Sequence, residues 1–286
     1  MRLVSYGQPG RERAGILLEQ AVIPLEELEP GITSVRMALA ENRLGAMAKK
    51  LAAWKGKTLP LSMLRLGAPV PDARKIICIG LNYRGHAIEQ KKPWPKQPLL
   101  FAKTTNTLVG PYDDILVPAD CKGDYEVELA VVIGRRTKAA TAAEALEAIG
   151  GYMVANDVSA RRWQHEDGQW YRAKSCDTFF PCGPCLVTPD EISNRSQLQL
   201  TTTIDGQVLQ DALLSDLIHP IEQLICHISR HITLEPGDII STGTPAGVGA
   251  FRSPPRFLAA GELVECAISS LGALKNRVTV VPSGDA

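Results

Sequence analysis

The segment Asp124-Tyr125-Glu126-Val127-Glu128-Leu129-Ala130-Val131-Val132-Ile133-Gly134 leads two carboxylates directly into an apolar run. Residues two apart in a strand share a face. Glu126 and Glu128 therefore project the same way, roughly 7 Å apart, with Ala130 and Val132 on their face and Val127, Leu129 and Val131 on the other. Two such acids repel unless a cation or another partner compensates them. Hard divalent ions prefer oxygen ligands of this kind, and Mg²⁺ combines a few carboxylates with water and substrate. A solvated strand end with two unrelated acids fits the same spacing. A third acid, Asp157, closes the apolar stretch Tyr152-Met153-Val154-Ala155-Asn156 and precedes Ser159-Ala160-Arg161-Arg162-Trp163-Gln164. Asp157 or Ser159 can act as a helix cap. In that helix Arg161 and Gln164, three apart, share a face beside the strand-end carboxylate and could grip a carboxylate or carbonyl.

The stretch Gly80-Leu81-Asn82-Tyr83-Arg84-Gly85-His86-Ala87-Ile88-Glu89 follows an apolar run. On a helical turn His86 and Glu89 are neighbours, so the carboxylate can orient the imidazole for general-base work on water. A surface ion pair is the competing explanation. Two other motifs imitate known chemistry. Cys182-Gly183-Pro184-Cys185 has dithiol redox spacing, but such a site needs a helix starting at the first cysteine. Here Pro181 precedes it, and Leu186-Val187-Thr188-Pro189 reads as a strand and a stop, making the motif part of a strand edge. Cys176 is nearby, yet no fourth zinc ligand stands at ribbon or finger spacing. Gly243-Thr244-Pro245-Ala246-Gly247-Val248-Gly249 lacks the Lys-Ser/Thr of a phosphate loop and is interrupted by Pro245, so a tight turn lining a pocket is expected.

These residues need a frame to hold them. From Pro69 onward short apolar runs alternate with turn signals. Strands are expected over Arg74 to Gly80, Glu126 to Gly134, Gly151 to Asn156, Cys185 to Thr188, Leu198 to Ile204, Asp238 to Thr242 and Glu262 to Ser269, and helices over Ala142 to Ile149 and Ile218 to Ser229. This order lacks regular βα alternation and predicts an α+β, β-dominated fold rather than a doubly wound sheet. Before Pro69, strands at Arg2 to Tyr6 and Arg13 to Leu18 and a helical pattern from Ser34 to Trp54 suggest a small N-terminal α/β domain over 1–68, with the main domain over 69–286.

The 286 residues carry 31 Lys+Arg against 31 Asp+Glu, for a net charge of zero. That removes the basic surplus that nucleic-acid binding uses. With 45% hydrophobic and 22% charged residues the chain is not disordered. No apolar run approaches a membrane span, and the N-terminus shows no hydrophobic signal segment. Seven irregularly spaced cysteines suggest reduced thiols and a cytoplasmic location.

Taken together, the chain resembles the fumarylacetoacetate hydrolase family from about residue 72 to 280. The likeness is carried by Gly80-Leu81-Asn82-Tyr83 with His86 and Glu89, Asp124 to Leu129, Asn156-Asp157-Val158-Ser159-Ala160-Arg161, Ala173-Lys174-Ser175-Cys176-Asp177 and Gly237 to Pro245, in the family's order. The resemblance implies a mixed β-sandwich roll, a homodimer, and Mg²⁺, Mn²⁺ or Ca²⁺ held by Glu126, Glu128 and Asp157. It implies a water-activating dyad of His86 and Glu89, an oxyanion-stabilising Lys174, and substrate contacts at Arg161, Gln164 and Thr244. Some members have Arg where this chain has Leu81, so any substrate contact from that Arg is missing.

The implied reaction is hydrolysis of the carbon–carbon bond of a 2,4-dioxo acid of the acylpyruvate or fumarylpyruvate type through a metal-bound enolate. Decarboxylation of oxaloacetate-like acids and isomerisation or hydration of 2-hydroxydienoates are the alternatives, and a non-catalytic binder is a further one. The partner is a small 2-oxo acid, with no nucleic acid and no membrane. The acyl group would be selected by a lid-like stretch, Lys91 to Pro98, with Trp163, Trp170 and Tyr171.

Overall fold

In the computed structural model, which describes residues 1–283, the strand Val127–Ile133 is buried at all seven positions. It pairs antiparallel with Ile149–Asn156 on one side and with Ile239–Ser241 on the other. Its side chains alternate between two cores. Val127, Leu129, Val131 and Ile133 belong to one core with Leu200, Val264 and Leu274, while Ala130 and Val132 belong to another with Ile76, Leu39 and Met47. A strand buried on both faces reads as a continuous apolar run rather than an alternating one, which is why the lone acid inside it, Glu128, needs a reason.

Around this strand an eleven-stranded sheet runs in the spatial order Leu59–Pro60, Ala21–Pro24, Arg13–Leu17, Arg2–Tyr6, Phe180–Val187, Ile149–Asn156, Val127–Ile133, Ile239–Ser241, Ile76–Gly80 and Leu99–Lys103, with Leu108–Val109 paired beside Phe180–Val187. A five-stranded sheet, Gln207–Leu213, Gln199–Ile204, Leu263–Ile268, Gly272–Val281 and Ile115–Pro118, shares the first core with it. The helix Ile221–Ser229 adds Leu224, Ile225 and Ile228 to that core. The architecture is the β-dominated α+β sandwich that the sequence predicts. Among the described residues, no helix is long and apolar enough to cross a membrane.

Two details differ from the sequence reading. The helical pattern expected from Ser34 to Trp54 forms two helices, Val35–Ala40 and Leu44–Ala52. Ser34 caps the first by accepting from the Met37 N–H, and Asn42, at φ 53°, breaks the run. Asn tolerates the left-handed region because its short amide can bond locally. The Cys182-Gly183-Pro184-Cys185 motif lies in a strand, but inside the sheet rather than at an edge, since Phe180–Val187 is flanked by Arg2–Tyr6 and Ile149–Asn156. Cys182 packs in one core and Cys185 in the other, both as free thiols. Burial pushes both up, Cys185 to about 11, the reverse of a reactive dithiol.

The strands of residues 1–68 continue the main sheet through Arg2↔Val187 and Leu3↔Leu186. Leu3, Ile16 and Ile23 share one core with Ala130, Met153 and Ile239. Residues 284–286, the end of the main domain expected from the sequence, lie outside the described residues. Deleting residues 1–68 strips a hydrogen-bonding partner from Phe180–Val187 and uncovers this core, and an unpaired apolar edge aggregates. The truncated protein is expected to lack cooperative thermal unfolding and to elute as aggregate on size exclusion. A monodisperse, cooperatively folded fragment would show that residues 69–286 are self-sufficient.

Candidate active site

Antiparallel register assembles the acids. Val127 pairs with Asn156, so the residues just beyond the paired ends, Glu126 and Asp157, lie side by side, with the Asp157 N–H donating to the Glu126 carbonyl at 2.8 Å. Glu128 projects from the strand one step further in. Glu126, Glu128 and Asp157 are all buried and each offers a carboxylate oxygen within 4.8 Å of the others. The competing solvated-end explanation fails on burial. The capping role considered for Asp157 is also not what the fold uses. The helix Arg161–Glu166 starts after Ala160 without a side-chain cap, and the Asp157 carboxylate is held by two ammonium groups.

Those groups are Lys174 and Lys103. The Lys174 Nζ bridges Glu126 at 2.6 Å and Asp157 at 2.7 Å. The Lys103 Nζ donates to Asp157 at 2.6 Å and to the Val158 carbonyl at 3.1 Å. Arg161 donates through Nη2 to Glu126 at 2.5 Å, through Nε to Asp124 at 2.8 Å and through Nη1 to Gln164 at 2.9 Å. Burial alone would raise the Glu126 carboxyl, but the Lys174 and Arg161 charges overcome it and hold the group down at about 2.

Glu128 is different. Its partners are neutral donors, the Ser241 hydroxyl at 2.5 Å and the Gly243 N–H at 2.9 Å. Among the described residues it has no ion pair. Burial, with the Asp157 and Glu126 charges, pushes its carboxyl well above the ordinary range. Lys174 stays protonated: burial disfavours its charge, but the Asp157 and Glu126 carboxylates outweigh that and raise it.

Beside the trio, the helix Arg84–Glu89 carries the expected dyad. His86 Nδ1 and Glu89 Oε2 are 2.8 Å apart, and His86 Nε2 lies 2.7 Å from the Gln90 amide nitrogen. With Nδ1–H turned to the carboxylate, Nε2 accepts from Gln90. The glycine-rich stretch expected to be a turn lining a pocket reaches three acids with its backbone. The N–H groups of Gly243, Gly247 and Gly249 donate to Glu128, Glu89 and Asp124 at 2.9, 2.9 and 2.8 Å. Gly243 and Gly247 sit at φ +99° and +102°, and a Cβ at Gly247 would come within 2.1 Å of the Leu209 carbonyl.

A cavity of about 530 Å³ opens over these groups, lined by His86, Gln90, Glu126, Glu128, Arg161, Gln164, Lys174 and Thr244 and walled by apolar side chains including Phe101, Trp170 and Phe251. All the expected site residues except Glu89 and Asp157 line it, and those two bond directly to residues that do. The Thr244 hydroxyl donates to the Val127 carbonyl and accepts from Gln210. Of the stretch and aromatics expected to select the acyl group, Lys92 and Trp170 line the cavity. Trp163 is instead covered by Arg172 and Trp94 by Arg84. The sequence reading missed Lys103, Asp124 as an anchor for Arg161, and Gln90. A lysine ending the apolar run Leu-Leu-Phe-Ala-Lys was the one available signal, since a buried ammonium demands a paired acid.

The donor set fits a hard divalent ion. Three carboxylates converge from rigid elements, Lys174 already occupies a cation's place between two of them, and Glu128 lacks a cationic partner. Such a frame, with an imidazole beside three converging acids in one cavity, has the make-up of an enzyme active site. Residues 75–279 match the family described as fumarylacetoacetate (FAA) hydrolase C-terminal, and the chain belongs to the fumarylacetoacetate hydrolase family, whose members are enzymes.

Among its relatives, it is 40% identical over 286 residues to the oxaloacetate tautomerase Fahd2a, mitochondrial, of Rattus norvegicus, covering 97% of this chain and 91% of that one. It is similar to a 5-carboxymethyl-2-hydroxymuconate delta-isomerase from Mycobacterium smegmatis, with a TM-score of 0.79 and 35% identity over 99% of this chain and 100% of that one. It is also similar to maleylpyruvate hydrolase from Sphingobium sp. SYK-6 in complex with manganese (II) ion and pyruvate, with a TM-score of 0.81 and 27% identity over 98% and 99% of the two chains.

Glu128→Gln keeps the bonds from Ser241 and Gly243 but can no longer give up a proton to offer a charged oxygen to a cation. Its affinity for Mn²⁺, measured by calorimetry, is expected to fall at least about tenfold, with the Mn²⁺-induced rise in Tm largely lost. In chelator the parent should lose stability as pH climbs out of the ordinary Glu range, roughly 4.3. There the unfolded chain releases a proton that the folded one retains. Glu128→Gln should flatten that slope. Equal Mn²⁺ affinity in both proteins would overturn the ligand assignment.

Proposed function

We propose that this enzyme interconverts the enol and keto forms of an oxaloacetate-type 2-oxo acid, using Mg²⁺, with Mn²⁺ or Ca²⁺ as replacements, held by Glu126, Glu128 and Asp157. The observation that carries this reading is the likeness to an oxaloacetate tautomerase along 97% of the chain, because the trio, Lys174 and the dyad suit every enolate reaction. Bound there, the ion would polarise the 2-oxo group and favour an enolate over a neutral ketone.

The chain's own groups do the rest. In tautomerisation the proton leaves the enol hydroxyl and a proton arrives at the neighbouring carbon, with no water consumed. His86 is positioned to hold that proton on Nε2, since Glu89 fixes Nδ1–H and the Gly247 N–H fixes Glu89. The Gln90 amide can donate to the neutral ring or, turned over, accept from the protonated one, so His86 keeps a partner in both states. The Lys174 ammonium supplies positive charge at the cavity floor, where negative charge gathers on the substrate oxygens. Phe101, Trp170 and Phe251 limit water.

The second reading is hydrolytic cleavage of an acylpyruvate. It is favoured by the His86–Glu89 pair, which suits activation of water, and by the likeness to a maleylpyruvate hydrolase. Oxaloacetate decarboxylation would draw on the same enolate.

Enol-oxaloacetate should be ketonised far faster than in buffer, with the activity lost on exhaustive chelation and restored by Mg²⁺. His86→Ala is expected to lower the rate by about 10²- to 10⁴-fold, the usual worth of a positioned acid–base group, with bound metal quantified in the same preparation. Full activity of metal-free protein would remove the mechanism. Rapid release of pyruvate and a carboxylic acid from acylpyruvates, with no effect on enol-oxaloacetate, would make hydrolysis the function.

A further inference from the structure

The cavity's cations divide into two groups. Arg161 and Lys174 sit at the floor and each pairs with carboxylates of the protein itself. Lys92 and His165 also line the cavity, yet among the described residues neither makes a side-chain hydrogen bond or an ion pair. Lys92 is exposed, which puts it on the solvent side of the cavity, and its backbone is fixed. After the helix Arg84–Glu89 the Lys91 N–H donates to the Ile88 carbonyl at 2.9 Å and the Lys92 N–H to the Ala87 carbonyl at 3.0 Å. This is a Schellman closure, in which the residue after the cap adopts the left-handed conformation. Lys91 takes that position at φ 54°, where glycine is the usual choice. The sharp reversal places Lys92 two residues beyond Gln90, itself bound to His86. His165 sits one residue after Gln164 on the helix that begins with Arg161. Between the acidic floor and these two groups the wall is apolar, with Leu99, Phe101, Trp170 and Phe251.

We propose that Lys92, assisted by His165, receives the distal carboxylate of a dioic 2-oxo acid whose oxo-acid end lies over the Glu126–Glu128–Asp157 floor. The inference deepens the 2-oxo acid reading above and rests on it. A monocarboxylic substrate leaves the unpaired ammonium without a counter-ion, whereas a second carboxylate pairs with it at the solvent-facing end, where desolvation costs least. Lys92 is thus a specificity-determining residue that acts on binding rather than on the proton transfer.

The test compares 2-oxoglutarate with 2-oxopentanoate, which share a carbon backbone and differ in the distal carboxylate. Calorimetric binding to the Mg²⁺-loaded full chain supplies the affinities. The parent is expected to prefer the dioic acid by about tenfold or more. Lys92→Ala should cut that preference to within about threefold while leaving 2-oxopentanoate affinity in place, Lys92→Arg should retain it, and Lys92→Glu should invert it. His165→Ala should remove a smaller part. An unchanged preference in Lys92→Ala overturns the assignment, as does an equal loss of affinity for both acids, which would mark Lys92 as a structural element of the mouth. The tautomerase assay runs on the same preparations. A preference that depends on Lys92 in a protein inactive on enol-oxaloacetate leaves this inference standing and sinks the tautomerase reading. An active enzyme with no such dependence does the opposite.

Discussion

Buried like charges are the constraint on which the rest of this structure depends. Two carboxylates with oxygens within 4.8 Å repel by about 3 kcal/mol even at an effective dielectric of about 20, and here three converge. Their compensation comes from distant parts of the chain. Lys174 arrives on the short helix Tyr171–Lys174, Arg161 heads another helix, and Lys103 ends the strand Leu99–Lys103 at the margin of the large sheet. Each answers Glu126 or Asp157. Glu128 is left with dipoles alone, and that asymmetry is the strongest structural reason to read the trio as a seat for a cation.

The glycine-rich loop from Gly243 to Gly249 ties this constraint to the dyad. It follows the strand Ile239–Ser241 directly, so the pairing that places Ser241 against Ala130 also sets the loop over Glu128. By bonding Glu128, Glu89 and Asp124 through successive backbone N–H groups, one loop orients an acid of the trio, the acid that orients His86, and the acid that anchors Arg161. Backbone donors suit this work because they cannot rotate away and add no net charge to a crowded site. A side chain at Gly247 would strike the Leu209 carbonyl, so the loop's course and its glycines depend on each other.

The N-terminal residues contribute at one remove. Their strands complete the sheet beside Phe180–Val187 and close the core beneath Ala130 and Val132. That core backs the face from which Glu128 projects, so tight packing there limits how far its carboxylate can drift.

Local spacing alone determined a good part of this protein. A two-residue period puts Glu126 and Glu128 on one side of a strand, and a three-residue interval puts His86 by Glu89 and Arg161 by Gln164. These contacts follow from backbone geometry that any strand or helix must obey. Val127–Ile133, Ile149–Asn156 and Ile76–Gly80 were legible as continuous apolar runs, whereas Phe180–Val187, broken by Pro181, Gly183 and Pro184, was read only from Cys185, and Gly272–Val281, interrupted by Lys275, Asn276 and Arg277, was not read. Strands nearer the margins were not: Leu99–Lys103 alternates poorly, and Gln207–Leu213 is polar and half exposed, because an edge need not bury both faces. Only the tertiary structure decided that Asp157 lies against Glu126, that Lys103 and Lys174 neutralise it, that both faces of Phe180–Val187 are covered so that neither Cys182 nor Cys185 reaches solvent, and that Lys92 lines the cavity. Those contacts join residues brought together by strand register, sheet order and chain reversal, and such long-range pairings are set by how the cores pack, which no local spacing records.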